Sequence, residues 1–139
     1  MTNEVKCSWK GKMAFESEGL GGTVMLDASE DVGGEGKGVR PKALMLTALA
    51  GCTAMDVASL FQKMNAVPDD FRVLIKGELT AEHPKYYDQV MITYQFWGKE
   101  LKKDKLEKAI NLSLTKYCGV TEMFRRFALV KSEIEYFED

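Results

Sequence analysis

At 139 residues and 15.6 kDa the chain has the size of one domain, enough to bury roughly 70% of its unfolded surface. A composition of 45% hydrophobic and 29% charged residues excludes a mainly disordered state, and a net charge of −2 excludes a strong pull toward nucleic acid. The stretch from Met1 to Lys6 lacks an apolar signal core, and no uncharged apolar run reaches the ~20 residues of a bilayer span, so the expected place is the cytoplasm, with no membrane or nucleic-acid partner.

The first elements read as short strands. Val5, Cys7 and Trp9 alternate with Lys6, Ser8 and Lys10, the period-2 pattern of a half-buried strand. This puts Cys7 on the apolar face, in core packing. Met13-Ala14-Phe15 and Thr23 to Leu26 are two further strand candidates, separated by Gly19, Gly21 and Gly22. Gly33 to Gly38 reads as a flexible loop. No Gly-Lys-Ser/Thr follows it, so it is not a phosphate-binding loop.

Pro41 opens a long helix, because its missing N–H needs no partner at the first helical position. The pattern carries the helix to Met64, about 36 Å at the standard rise. From Ala43 to Met55 it has no charged residue on any face. A helix apolar all round must be covered all round, and one sheet covers one side. A second copy of the chain is the expected source of the other cover.

Two long strands follow, Phe71 to Leu79 and Tyr86 to Trp97, the second with Val90, Ile92, Tyr94 and Phe96 on one face. A turn at His83-Pro84 joins them. Lys102 to Tyr117 is an amphipathic helix with Leu106, Ala109, Ile110 and Leu114 inward, and Val120 to Arg126 is a short turn or helix. A last strand runs from Phe127 to Phe137. Strands beside segregated helices indicate an α+β fold.

Candidate chemistry rests on cysteine. One histidine, His83, leaves little room for a histidine-based metal site, and neither metal nor cofactor is expected. In a reducing compartment the three cysteines begin as thiols. Cys52 lies mid-helix after Gly51, and a glycine there costs about 1 kcal/mol against alanine, usually for close approach by a backbone or a ligand. Cys118 closes the second helix, with Gly119 reading as its C-cap. Taken singly, each cysteine reads as packing. Taken together, they sit on the two long helices, each beside a glycine. A thiolate that cleaves a peroxide O–O bond becomes a sulfenic acid, which a second thiol converts to a disulfide. That chemistry needs no metal, flavin or histidine. Asp56, one turn past Cys52, opposes thiol ionisation if it faces the sulfur.

Pro41 followed by an apolar helix carrying Ala50-Gly51-Cys52, then Lys116-Tyr117-Cys118-Gly119-Val120 after a second helix, resembles the OsmC/Ohr family of osmotically inducible and organic hydroperoxide resistance proteins. The likeness covers nearly the whole chain, read as a single domain over 1–139, and looks closest to the YhfA-like branch. It implies antiparallel sheets from two intertwined chains around central buried helices, a homodimer with sites at its interface. By the same resemblance Cys52 matches the peroxide-attacking cysteine and Cys118 the resolving one. A dithiol is the implied reductant and an organic hydroperoxide the implied substrate. Arg40, Lys42 and Gly51 are the candidate substrate-binding residues. Well-characterised members carry a glutamate where this chain has Lys42, and an early-strand arginine, whereas this chain has none before Arg40. The cation that lowers the thiol pKa is then to be sought among Arg40, Lys42, Lys10 and Lys12, or Arg125 and Arg126 from a second copy. The rival reading is a non-catalytic module binding a small apolar ligand at the dimer interface.

Overall fold

The elements run in the order β1 (Lys6–Trp9), β2 (Phe15–Gly19), β3 (Gly22–Leu26), α1 (Ala43–Phe61), β4 (Asp70–Leu79), β5 (Tyr87–Trp97), α2 (Lys103–Leu112), α3 (Gly119–Arg125) and β6 (Leu129–Phe137), with alternating apolar residues marking the longer strands and apolar faces marking the helices. This computed structural model describes residues 1–138. The class is α+β, as expected. The chain divides into two units, Met1–Met45 and Leu46–Asp139.

The first unit is an antiparallel meander, β1-β2-β3. Its second strand lies later than the expected Met13–Phe15. Gly11 and Lys12 adopt positive φ, and the Lys10 and Ala14 amides bond to Ala14 O and Gly11 O, so this stretch is a turn. Cys7 is exposed rather than packed. The glycine-rich loop is not a free linker. The Asp27 carboxylate, 3% exposed, accepts N–H bonds from Ala28, Glu35 and Lys37, and that from Lys37 chiefly holds its pKa below the ordinary value. A Cβ on Gly34 would stand 1.8 Å from Ala28 O, so only glycine permits the approach.

The second unit holds the core. Val90, Ile92, Tyr94 and Phe96 of β5 are each at most 3% exposed and share one cluster with Leu49 and Val57 of α1, Leu106, Ala109 and Ile110 of α2, and Phe124 of α3. Phe71 stacks on Phe96 with ring centroids 4.9 Å apart, and Phe61 closes edge-on. The expectation of antiparallel sheets holds for β4–β5 but not for β6, which runs parallel to β5. The chain returns through α2 and α3, and a crossover of that length permits a parallel strand.

Helix α1 ends at Phe61 rather than Met64, and Asn65 takes positive φ just beyond. Leu49, Thr53 and Val57, at four-residue intervals, are its buried residues. Met45 and Met55 stay exposed. By length and composition α1 could also cross a membrane, yet Leu49 and Val57 belong to the protein core.

Candidate functional site

Two positions on α1, the N-cap of α3 and one break in helical geometry build the site, all within the second unit. On α1, Cys52 and Asp56 are four residues apart and share a face. The expected Lys102–Tyr117 helix gives way after Leu112 to a π-helical turn, Ser113–Tyr117. There the Cys118 N–H donates to Ser113 O at 2.8 Å, five residues back, the wider ring that defines such turns. Cys118 leaves the helix at φ −79°, ψ 98° and becomes the N-cap of α3, its Sγ accepting the Thr121 N–H at 3.3 Å. Thiol sulfur thus takes the place usually held by a serine or aspartate oxygen. Gly119 opens α3 rather than capping the preceding helix.

This brings the two cysteines together. The Cys52 and Cys118 sulfurs and an Asp56 carboxylate oxygen all lie within 4.8 Å of one another. Cys118 is 5% exposed, and Cys52 and Asp56 are half-buried. Sulfurs at this spacing must still approach to the ~2.05 Å of a disulfide.

Behind them runs a buried chain of hydroxyls. Tyr94 Oη lies 2.6 Å from Thr53 Oγ1, which lies 2.8 Å from Ser113 Oγ, which donates to Asp56 Oδ2 at 2.9 Å. An ionised carboxylate only accepts, and each hydroxyl has one proton. Ser113 spends its proton on Asp56, so Thr53 donates to Ser113 and Tyr94 donates to Thr53. The order is fixed along the whole chain. Burial pushes the Tyr94 phenol up to about 12, with the charges of Cys118 and Asp56 acting in the same direction. The Thr121 hydroxyl is buried with no hydrogen-bond partner.

Burial also raises the Cys52 thiol. Its hydrogen bond to Cys118 and the charges of Cys118 and Asp56 raise it further, and a backbone bond from Val120 opposes them. No cation is among the groups that set it.

Of the residues singled out from sequence, Cys52 and Cys118 meet. Gly51 precedes Cys52 on α1, and nothing lies within 4 Å of where its Cβ would stand, so in this chain no backbone uses the room. Arg40 and Lys42 belong to the first unit. The Arg40 guanidinium donates to Gly38 O at 2.9 Å. Among the described residues neither Arg40 nor Lys42 forms an ion pair. A cleft of about 210 Å³ lined by Asn65, Pro68, Gly98 and Lys102 includes none of these residues. Sequence reasoning missed Thr53 and Ser113, and the hydrogen-bonding role of Tyr94. A threonine and a serine inside apolar helix faces were the available signal, because buried hydroxyls need partners.

Residues 34–133 match the family of OsmC-like proteins. Protein YhfA of Escherichia coli K12 is 28% identical over 124 residues, covering 88% of this chain and 90% of that protein. A hypothetical protein from Aquifex aeolicus VF5 superposes with a TM-score of 0.83 at 27% identity, covering 99% of both chains. The organic hydroperoxide resistance protein OhrB of Bacillus subtilis shares the fold, with a TM-score of 0.67 at 17% identity over 97% of this chain and 98% of that one. With residues 34–133 matching the family model, more than half of its length, the chain belongs to the OsmC-like family.

Proposed function

We propose that this protein reduces organic hydroperoxides through Cys52 and Cys118, in the peroxide-resistance role to which the OsmC/Ohr family points. The observation that carries the reading is the approach of the two sulfurs, within 4.8 Å, in a half-buried site. The Cys52 thiolate attacks the outer oxygen of ROOH. The O–O bond breaks, ROH leaves with a proton, and Cys52 is left as sulfenic acid. The Cys118 thiol then attacks the Cys52 sulfur, water departs, and a disulfide forms. An external dithiol returns the two electrons, and no cofactor enters. Asp56, next to Cys52 and tied to Ser113, is placed to take the proton that either thiol loses.

The working form in this proposal is a cytoplasmic homodimer. Met45 and Met55 on α1 and Trp9, Val24 and Met25 on the first sheet are exposed apolar side chains, and burying them against a second copy satisfies the hydrophobic effect. Arg40, Lys42 and Gly51 remain the proposed substrate-side residues. A cation contributed in the dimer would lower the Cys52 pKa that burial has raised.

The raised Cys52 thiol favours one rival, a non-catalytic module holding an apolar ligand at that interface. Titration with cumene hydroperoxide separates the two. Loss of two thiols per chain, with Cys7 retained, and a Cys118→Ser protein trapped as sulfenic acid are the expected results. Three free thiols after stoichiometric peroxide would overturn the peroxidase reading.

A further inference from the structure

The cluster of Cys52, Asp56 and Cys118 has a second chemistry, which needs no peroxide. Two sulfurs and one carboxylate oxygen lie within 4.8 Å of one another. Around a tetrahedral zinc, with Zn–S of about 2.3 Å and Zn–O of about 2.0–2.2 Å, three such ligands stand roughly 3.5–3.8 Å apart. An inward shift of about 1 Å therefore closes the site around the ion. We propose that the reduced protein binds one thiophilic divalent cation, Zn²⁺ by chemistry, through Cys52 Sγ, Cys118 Sγ and one Asp56 carboxylate oxygen, leaving the fourth position open.

The supporting groups suit this use. Asp56 accepts the Ser113 hydroxyl on Oδ2 at 2.9 Å, which orients the carboxylate. Ser113 is itself locked by Thr53 and Tyr94. The Cys118 sulfur accepts the Thr121 N–H at 3.3 Å. Outer hydrogen bonds of this kind hold ligand orientation and tune donor strength in metal sites. The ligands also come from two helices, with Cys52 and Asp56 at i and i+4 on one and Cys118 at the head of the other. Soft thiolates select zinc over magnesium or calcium.

The reaction balances without an oxidant. Zn²⁺ displaces the protons of two thiols, two S–H bonds are replaced by two S–Zn bonds, and two protons leave to solvent. Coordination deprotonates the thiols outright, whatever burial does to them in the free protein. The regulatory consequence rests on the peroxidase reading: the metal occupies the sulfurs that peroxide must attack, so bound zinc holds the pair reduced and inactive.

The test uses the full reduced chain and competes Zn²⁺ against a chromophoric chelator, with Co²⁺ as the spectroscopic substitute. Expected are one metal per chain, two protons released per Zn²⁺, and a thiolate-to-Co²⁺ charge-transfer band. Cys52→Ser and Cys118→Ser should each remove about half of that band and weaken affinity at least 100-fold. Asp56→Asn should weaken it by less than either cysteine substitution, while Cys7→Ser changes nothing. Pre-formed disulfide should abolish binding. Failure to retain Zn²⁺ against the chelator, release of no protons, or a site lost with Cys7→Ser instead would overturn the proposal. Peroxide titration of the metal-free protein reads the other hypothesis separately. Metal binding with thiols that resist peroxide sinks the peroxidase alone, and thiol oxidation without metal binding sinks the zinc site alone.

Discussion

The two three-stranded sheets make similar backbone ladders and have opposite relations to solvent. No residue of β1 or β2 is fully buried, nor any of β3, and Trp9 is 67% exposed. In the second sheet Ile92, Tyr94 and Phe96 are at 0%. Ladder hydrogen bonds alone do not make a core. What distinguishes the second sheet is that α1, α2 and α3 give β5 a shared apolar cluster, and the dithiol site sits in that same unit. The thiols and hydroxyls of the site are desolvated by that cluster's surroundings, with Thr53 and Ser113 at 0% exposure.

The largest test of this contrast substitutes one aromatic residue in each sheet. Phe96→Ala should cost about 3–5 kcal/mol in denaturant unfolding at any protein concentration. Trp9→Ala should cost under about 0.5 kcal/mol in dilute solution, and more at concentrations where a second copy covers the first sheet. Equal losses in dilute solution would show that Trp9 is buried within the single chain, and the contrast would fail.

The next effect is a pH dependence. Tyr94 is raised from 10.0 to about 12 by burial. Between those values the unfolded tyrosine has lost its proton while the folded one keeps it, so the native state binds more protons and stability falls as pH rises. The contribution is complete below pH 10 and gone above about 12, roughly 3 kcal/mol at one pH unit per 1.36 kcal/mol. Alkaline unfolding of Tyr94→Phe should lack this component, measured as stability against pH. Cys52, also raised, has the same sign, its contribution fading as pH climbs through the folded thiol pKa.

A smaller effect probes the hydroxyl chain. Thr53→Val keeps the shape but leaves Tyr94 without an acceptor and Ser113 without its donor, at about 1–3 kcal/mol. Adding Tyr94→Phe should recover part of that loss. If the two substitutions add without coupling, the hydroxyls do not form one chain.

Much of this architecture was legible because burial on one face leaves a periodic trace. Val90, Ile92, Tyr94 and Phe96 announced β5, and Leu106, Ala109 and Ile110 announced α2. Where no face is buried the trace vanishes. Phe15-Glu16-Ser17-Glu18-Gly19 is a strand held by its neighbours' hydrogen bonds, and its sequence carries no apolar alternation. The glycines of the 33–38 loop suggested freedom, although Gly34 is there because Ala28 O stands against it. The cysteine pair was readable as a pair, but its geometry was not. Ser113 to Tyr117 keeps ordinary helical composition, and only a hydrogen bond one residue longer separates the π turn from an α-helix.

The π turn divides the mechanical duties of the two sulfurs. Cys52 is carried mid-span on a 19-residue helix, a girder whose backbone resists local rotation. Cys118 hangs at a joint, extended in conformation, between one kind of helix and another. A contraction of the gap between them meets less backbone hydrogen bonding to reorganise at the joint than in mid-helix. From that joint the chain continues into α3 and then β6.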